Sequence, residues 1–176
     1  SMNEQPDIIR AIEEVANVPL QPAPYVGYDP SLAVMPYRSD KPFRYLLNDQ
    51  GELIGLNLAN TKMTDNRWGR ILAIPGFKPE LLEALNLRDN LLDWSPVIPA
   101  MTALRHVDLC NNNIKEFLPP VKSKLEHILL YGNEMTSPPL EVVNQGKYAI
   151  LNYFSRIQAE GSTKIYEAKV LIVGAG

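Results

Sequence analysis

Apolar residues recur through the middle of the chain in one spacing, LxxLxLxxNxL, which occurs four times between residues 52 and 136. Each set has aliphatic residues at four positions and a polar residue at the remaining one: Leu53, Leu56, Leu58, Thr61 and Met63; Leu82, Leu85, Leu87, Asn90 and Leu92; Leu104, Val107, Leu109, Asn112 and Ile114; Leu125, Ile128, Leu130, Asn133 and Met135. The sets start 29, 22 and 21 residues apart, the range typical of leucine-rich repeats. The pattern predicts an α/β fold in which residues 52–136 form a leucine-rich repeat solenoid.

Within each repeat, the LxL alternation predicts a short strand with both leucines on its buried side. The Asn side chain then ends the strand by bonding backbone groups of its own turn and of a neighbouring repeat. Thr61 replaces Asn in the first repeat, where no earlier repeat needs the bond. Because no repeat covers its own apolar face, we expect the four strands to stack as a parallel, concave sheet.

The segments that return on the convex side differ from repeat to repeat. Residues 65–75 predict a helix with Trp68, Ile71 and Leu72 facing inward and Pro75-Gly76 ending it. The segments that follow Leu92 and Ile114 are short and rich in proline, which favours extended or 3₁₀ structure.

Residues 3–51 are predicted to cover the N-terminal end of the repeats, after a cloning scar at residues 1–2. Helical spacing in residues 6–16 predicts an amphipathic helix with Asp7 as its cap. Six prolines in residues 18–42 exclude a long helix there and predict an extended segment that packs on the protein through its tyrosines. Residues 43–47 predict a strand.

Residues 137–161 are predicted to form capping helices at the C-terminal end. Ser137-Pro138-Pro139 is a helix-start signal, a longer helix is expected from about Lys147 to Glu160, and Gly161 is its expected stop. Residues 162–176 are then predicted to be a linker and a terminal strand, since Val170–Val173 is a continuous apolar run followed by glycine.

Composition removes several classes of function. The net charge is −3, with 17 basic and 20 acidic residues that are well mixed, so there is no basic footprint for nucleic acid. No apolar run approaches the length of a membrane span. The single cysteine, Cys110, excludes an internal disulfide framework and favours a reducing, cytoplasmic location.

Gly174 and Gly176 match the opening of a nucleotide-binding loop in two ways. A strand followed by glycine opens the phosphate loop, which continues to Gly-Lys-Ser/Thr. The same residues open the GxGxxG fingerprint of a dinucleotide-dependent oxidoreductase. The order of elements favours the first interpretation. Without the lysine and hydroxyl that grip phosphate and magnesium, we expect no tight GTP binding by these residues and no cofactor.

The repeats are followed by Gln145-Gly146-Lys147, then by residues 149–154, and then by residues 165–176. This order of segments along the chain resembles the Roco proteins. In that family, leucine-rich repeats precede a Ras-like GTPase domain called Roc and a dimerising domain called COR, with or without a Ser/Thr kinase. The resemblance implies a homodimeric, cytoplasmic signalling protein that binds GTP and Mg, with the repeats as a regulatory arm that binds Roc, COR or another protein. Only Gly174 and Gly176 match the family's phosphate loop, so no catalytic residue is carried over. A free-standing recognition protein is the remaining alternative.

The exposed positions of the repeat strands predict where a partner binds. The candidate residues are Arg88, Arg105, His106, Asp108, His127 and Tyr131. They predict a docked peptide or domain, and the alternative is a solvated sheet face. His106 and His127 share one repeat position, so a zinc site and a column of solvated histidines are both open, and the second is favoured. Cys110 is a reactive thiol beside arginine or, as favoured, a small residue packed at a strand end. No nucleophile–base set indicates an enzyme active site.

Overall fold

The structure is a computed structural model that describes residues 5–24, 27–36, 43–93, 98–120 and 122–174, with side chains as far as residue 161. Its six described strands form one sheet in chain order: β1 Gln21–Pro22, β2 Arg44–Leu47, β3 Leu53–Asn57, β4 Ala84–Asn86, β5 His106–Asp108 and β6 His127–Leu129. Neighbouring strands from β3 to β6 are parallel, while β2 runs antiparallel to β3. The chain therefore has a mixed α/β fold built on a mainly parallel sheet, as the repeat spacing predicts.

The four repeats align without a shift in register. Leu56, Leu85, Val107 and Ile128 lie side by side on consecutive strands, and each is at most 4% exposed. Because strand residues alternate between the two faces of a sheet, these side chains and the leucines two positions later point into one continuous core. The predicted buried face of the repeats is confirmed.

The predicted ladder of asparagine side chains is also present. Asn112 illustrates it, because its Nδ2 donates to the carbonyl oxygen of Leu87 in the preceding repeat and of Leu109 in its own, at 3.0 Å each. Its Oδ1 accepts the backbone N–H of Leu92 at 3.0 Å. Asn90 and Asn133 make the corresponding bonds. Each buried amide thus ties one repeat to the one before it.

The N-terminal cap is anchored by a helix and by one arginine. Helix α1 spans Asp7–Ala16 as predicted, but Asp7 does not cap it, since Pro6 holds the cap position and no side chain bonds there. Asp7 pairs instead with Arg10. Helix α2, Asp65–Leu72, packs against α1, and its Arg67 donates through Nη2 to the carbonyl oxygens of Val15 at 3.0 Å and Ala16 at 2.6 Å. The arginine thereby pairs carbonyl groups that the end of α1 leaves free.

The return segments agree with their prediction where the structure describes them. Helix α2 buries Trp68 and Ile71 and leaves Leu72 half-buried. The segment after Leu92 contains a 3₁₀ turn at Ile98–Ala100, while residues 94–97 lie outside the described part of the chain.

The C-terminal end departs from its prediction after residue 160. Helix α3, Leu140–Val143, begins after Pro139, and helix α4 begins at Lys147 as expected. Helix α4 does not stop at Gly161 but continues to Gly174, so the predicted linker and terminal strand are wrong for residues 162–174. A lone strand leaves its backbone N–H and C=O groups unpaired, and no described strand pairs with this segment. A helix satisfies those groups internally.

The proline-rich segment is more ordered than the extended chain that its prolines predict. Within the described residues it contains β1, which pairs with β2, and a 3₁₀ turn at Pro30–Val34. The side chain of Asp29 accepts the backbone N–H of Ser31 and so starts the turn. Residues 29–36, named here the leader turn, lie over the polar face of the sheet, which is where the candidate site is found.

Candidate interaction face

Two columns of side chains define the sheet face, the side of the sheet opposite the leucine core. Register places Gly55, Ala84, His106 and His127 in one column. It places Asn57, Asn86, Asp108 and Leu129 in the other. Both columns therefore change character between the second repeat, strand β4, and the third, strand β5.

Small side chains at the start of the first column make room for the leader turn. Gly55 is so close to it that an added Cβ would lie 3.1 Å from the nearest methyl carbon of Val34. Val34 is fully buried and Ala33 is 2% exposed, so both stay covered by the protein. A side chain at position 55 would therefore require Val34 or Leu46 to shift by a few tenths of an ångström.

Amide side chains of the second column bind the backbone of the leader turn. Nδ2 of Asn57 donates to the carbonyl oxygens of Val34 at 2.7 Å and Pro36 at 3.2 Å. Nδ2 of Asn86 donates to the carbonyl oxygen of Met35 at 2.7 Å. Sequence reasoning missed this function of Asn57 and Asn86, although amides at the same position of consecutive repeats were a signal.

Asp29 at the start of the leader turn meets the third repeat. Its Oδ2 lies 2.6 Å from Nε2 of His106 and 3.2 Å from Nη1 of Arg105. Because an ionised carboxylate can only accept, Nε2 of His106 is the donor. Burial alone would raise the pKa of Asp29, but hydrogen bonds from Ser31 and His106 and the charge of Arg105 hold that pKa below its usual value. Asp29 was not among the predicted site residues.

The two histidines are neighbours, as their shared repeat position predicts. Nδ1 of His106 lies 2.8 Å from Nδ1 of His127, and the rings stack with centroids 4.8 Å apart. His106 is buried and His127 is exposed. Desolvation, together with the nearby charges of His106 and Lys147, lowers the pKa of His127. The neutral form of the exposed ring is therefore favoured at neutral pH.

Arg105 links the histidines to a half-buried carboxylate. Its Nη2 lies 2.7 Å and its Nε 3.0 Å from Oε1 of Glu126. This hydrogen bond from Arg105 lowers the pKa of Glu126. Arg105, His106 and His127, three of the predicted candidates, thus form one group with Asp29 and Glu126.

The other predicted candidates lie around this group. Nη1 of Arg88 is 3.4 Å from Oδ2 of Asp108, which is buried and caps its strand by accepting the N–H of Cys110. Tyr131 follows β6 and is 45% exposed, beside Leu129 at 37%. Gly174 is the last residue of helix α4 and is not in a phosphate-binding loop. Gly176 lies outside the described residues.

Cys110 is a packed residue rather than an activated thiol. It is 2% exposed, and desolvation together with the adjacent Asp108 raises the pKa of its thiol to about 12. Since the thiolate is the reactive form, we expect iodoacetamide at pH 8 to alkylate the native protein at least about tenfold more slowly than the unfolded chain, whose thiol pKa is about 8.5. Mass spectrometry of timed samples measures both rates, and equal rates would contradict the packed assignment.

Comparison with known proteins agrees with the repeat geometry. The family model described as Leucine Rich Repeat matches residues 103–122, the third of the four repeats. No curated protein and no solved structure matches the chain. The chain thus carries a leucine-rich repeat at residues 103–122, and its parallel strands stack at the spacing of that motif. Among the described helices, none combines the length and apolar character that crossing a membrane requires.

Proposed function

We propose that this chain is a non-catalytic protein-interaction module whose repeats form a solenoid and whose partner binds the open, C-terminal half of the sheet face. One observation carries the proposal: the N-terminal half of the same face already binds a peptide segment. The leader turn lies there with its carbonyl groups held by Asn57 and Asn86. The sheet face therefore has the geometry to hold a backbone segment, as its N-terminal half does for the leader turn.

The open half offers a surface of different chemistry. Leu129 and Tyr131 are exposed apolar groups on the fourth repeat. Arg88 and Arg105, on the second and third repeats, each have about a third of the side chain accessible. Tyrosine and arginine are the residue types that contribute most to protein interfaces. A partner that presents an apolar side chain and a carboxylate fits this combination.

At a finer level, we propose that the module is the regulatory arm of a Roco-type protein. The support is the order of residues 145–169 after the repeats, together with Gly174 and Gly176. In that case the partner is the Roc or COR domain, and the whole protein is a cytoplasmic homodimer that binds GTP and Mg. Residues 162–174 are helical, and this helix lends the finer proposal no support.

Two experiments test the two levels separately. The coding sequence after Gly176 supports the Roco level if it continues to Gly-Lys-Ser/Thr, and refutes it if it completes GxGxxG with an acidic residue about 20 positions later. For the interaction level, peptides that present an apolar side chain beside a carboxylate are titrated into the ¹⁵N-labelled chain. We expect amide shifts at Leu129 and Tyr131 and weaker binding by at least about tenfold in Tyr131→Ala.

A matched control exists for the tyrosine variant. Tyr148 on α4 is also exposed, at 80%, and lies outside the sheet face, so Tyr148→Ala should bind as the unmodified chain does. Equal effects of both variants, or shifts confined to α4, would contradict a site on the sheet face.

A further inference from the structure

The two histidines and Glu126 converge on one point of the sheet face. One potential ligand atom from each of His106, Glu126 and His127 lies within 4.8 Å of the other two. The Nδ1 atoms of the two rings face each other at 2.8 Å. Two imidazoles and one carboxylate, with a further position open to water, form a ligand set that zinc accepts.

Asp29 prepares His106 as a ligand. Because Nε2–H of His106 is donated to Asp29, the proton of the neutral ring is on Nε2 and the lone pair of Nδ1 faces His127. A histidine that binds a metal through one nitrogen usually donates the other N–H to a carboxylate, which fixes the ring and makes it more basic. The contact between Asp29 and His106 has this arrangement.

We propose that His106, His127 and Glu126 form a zinc-binding site that bridges the third and fourth repeats. Nδ1 of each histidine and a carboxylate oxygen of Glu126 are the ligands, and water takes the fourth position. His127 donates Nδ1–H to His106 in the metal-free protein, and on binding this proton moves to Nε2, which is open to solvent. The site goes beyond the interaction role proposed above and is independent of it.

Small movements adapt the group to the ion. Zn–N bonds of about 2.0–2.1 Å in a tetrahedral site set the two nitrogens roughly 3.3 Å apart, so the rings separate by about half an ångström. His127 can supply this movement, because it is exposed on the last strand of the sheet. Arg105 holds Oε1 of Glu126 and leaves Oε2 for the metal. The charge of Arg105 is offset by Asp29 and Glu126.

The site joins metal binding to the leader turn. A metal on Nδ1 of His106 strengthens Nε2–H as a donor to Asp29. Asp29 also accepts the backbone N–H of Ser31 inside the turn. Zinc bound between the third and fourth repeats should therefore hold the leader turn more firmly on the sheet.

The test is calorimetric titration of the metal-free chain with zinc chloride, paired with NMR of the histidine rings. Because the chain contains two histidines, every imidazole signal is assignable. We expect one zinc per chain with micromolar affinity, shifts of both rings and slower amide exchange at Ser31. His127→Ala should abolish binding, and Asp29→Asn should weaken it roughly 10- to 100-fold.

Controls separate the site from general attraction of zinc to the surface. Glu83 occupies the position of Glu126 two repeats earlier, so Glu83→Gln should bind zinc as the unmodified chain does, while Glu126→Gln should bind more weakly. His127 is exposed, so His127→Ala should fold, as circular dichroism can verify. No heat and no ring shift in the folded unmodified chain, or undiminished binding by His127→Ala, would overturn the proposal.

Discussion

Replacement of Asn112 by alanine is expected to lower the free energy of unfolding by about 4 kcal/mol. The buried amide joins two repeats through Nδ2, which donates to the carbonyl oxygens of Leu87 and Leu109, and through Oδ1, which accepts the N–H of Leu92. Alanine removes all of these bonds at once.

The size of the effect follows from what the substitution leaves behind. Asn112→Ala leaves the buried N–H of Leu92 without a partner, which costs about 1–3 kcal/mol. The carbonyl oxygens of Leu87 and Leu109 each lose one bond, worth about 0.5–1.5 kcal/mol, and keep the one from Asn90 or Asn133. Since whole domains are stable by only about 5–15 kcal/mol, this single change removes a large fraction of the total. The centre of a stack is also where water has least access to repair the loss.

Urea unfolding of Asn112→Ala, with Asn113→Ala as its control, measures the effect. Asn113 is the next residue but is exposed, so its replacement should change the free energy by no more than about 0.5 kcal/mol. If the two variants lost equal stability, the ladder would not be what binds the repeats together.

The repeats could be predicted because their information is local and periodic. Strand, core face and ladder each require a residue type at fixed spacing, as with Leu85, Leu87 and Asn90. The same spacing predicted that His106 and His127 are neighbours, because equal repeat positions lie side by side in a parallel sheet.

The leader turn could not be placed in this way. Its position depends on the small residues Gly55 and Ala84, whose effect on the tertiary surface no local sequence pattern predicts. Proline content predicted an extended segment, but neither its 3₁₀ turn nor the surface that it covers. Asp29, which completes the histidine group, was missed for the same reason, since it lies 77 residues from His106 in the sequence.

The change in the sheet columns divides the face into two parts of different chemistry. Where the first column is small and the second carries amides, the protein binds its own leader turn. Where the columns turn to histidine, aspartate and leucine, His106 and Asp108 on β5 are still buried, and His127 and Leu129 on β6 are exposed. Asp29 joins the two parts, because it accepts hydrogen bonds from Ser31 in the leader turn and from His106 on β5. A ligand bound at the histidines can therefore affect the leader turn through this one side chain.

Replacement of Trp68 by alanine should destabilise the chain by a similar amount, about 4 kcal/mol, by a different mechanism. Trp68 is 1% exposed and packs edge-on against Phe77 with ring centroids 6.3 Å apart. It belongs to the core that joins Ile9 and Ile12 of α1 to the first repeat. Alanine leaves a cavity that this packed layer can only partly fill.

The loss should be felt beyond the cavity, because α2 also holds the N-terminal cap. Arg67, the residue before Trp68, bonds the last carbonyl groups of α1, and a shift of α2 would loosen that link. Thermal and urea unfolding of Trp68→Ala measure the loss, with the exposed aromatic variant Tyr148→Ala, expected within about 0.5 kcal/mol of the unmodified chain, as control. Hydrogen exchange should show the greatest loss of protection in α1. A loss below about 1.5 kcal/mol would mean that α1 and α2 are not part of the core that holds the repeats, since replacing a buried aromatic by alanine usually costs about 3–5 kcal/mol.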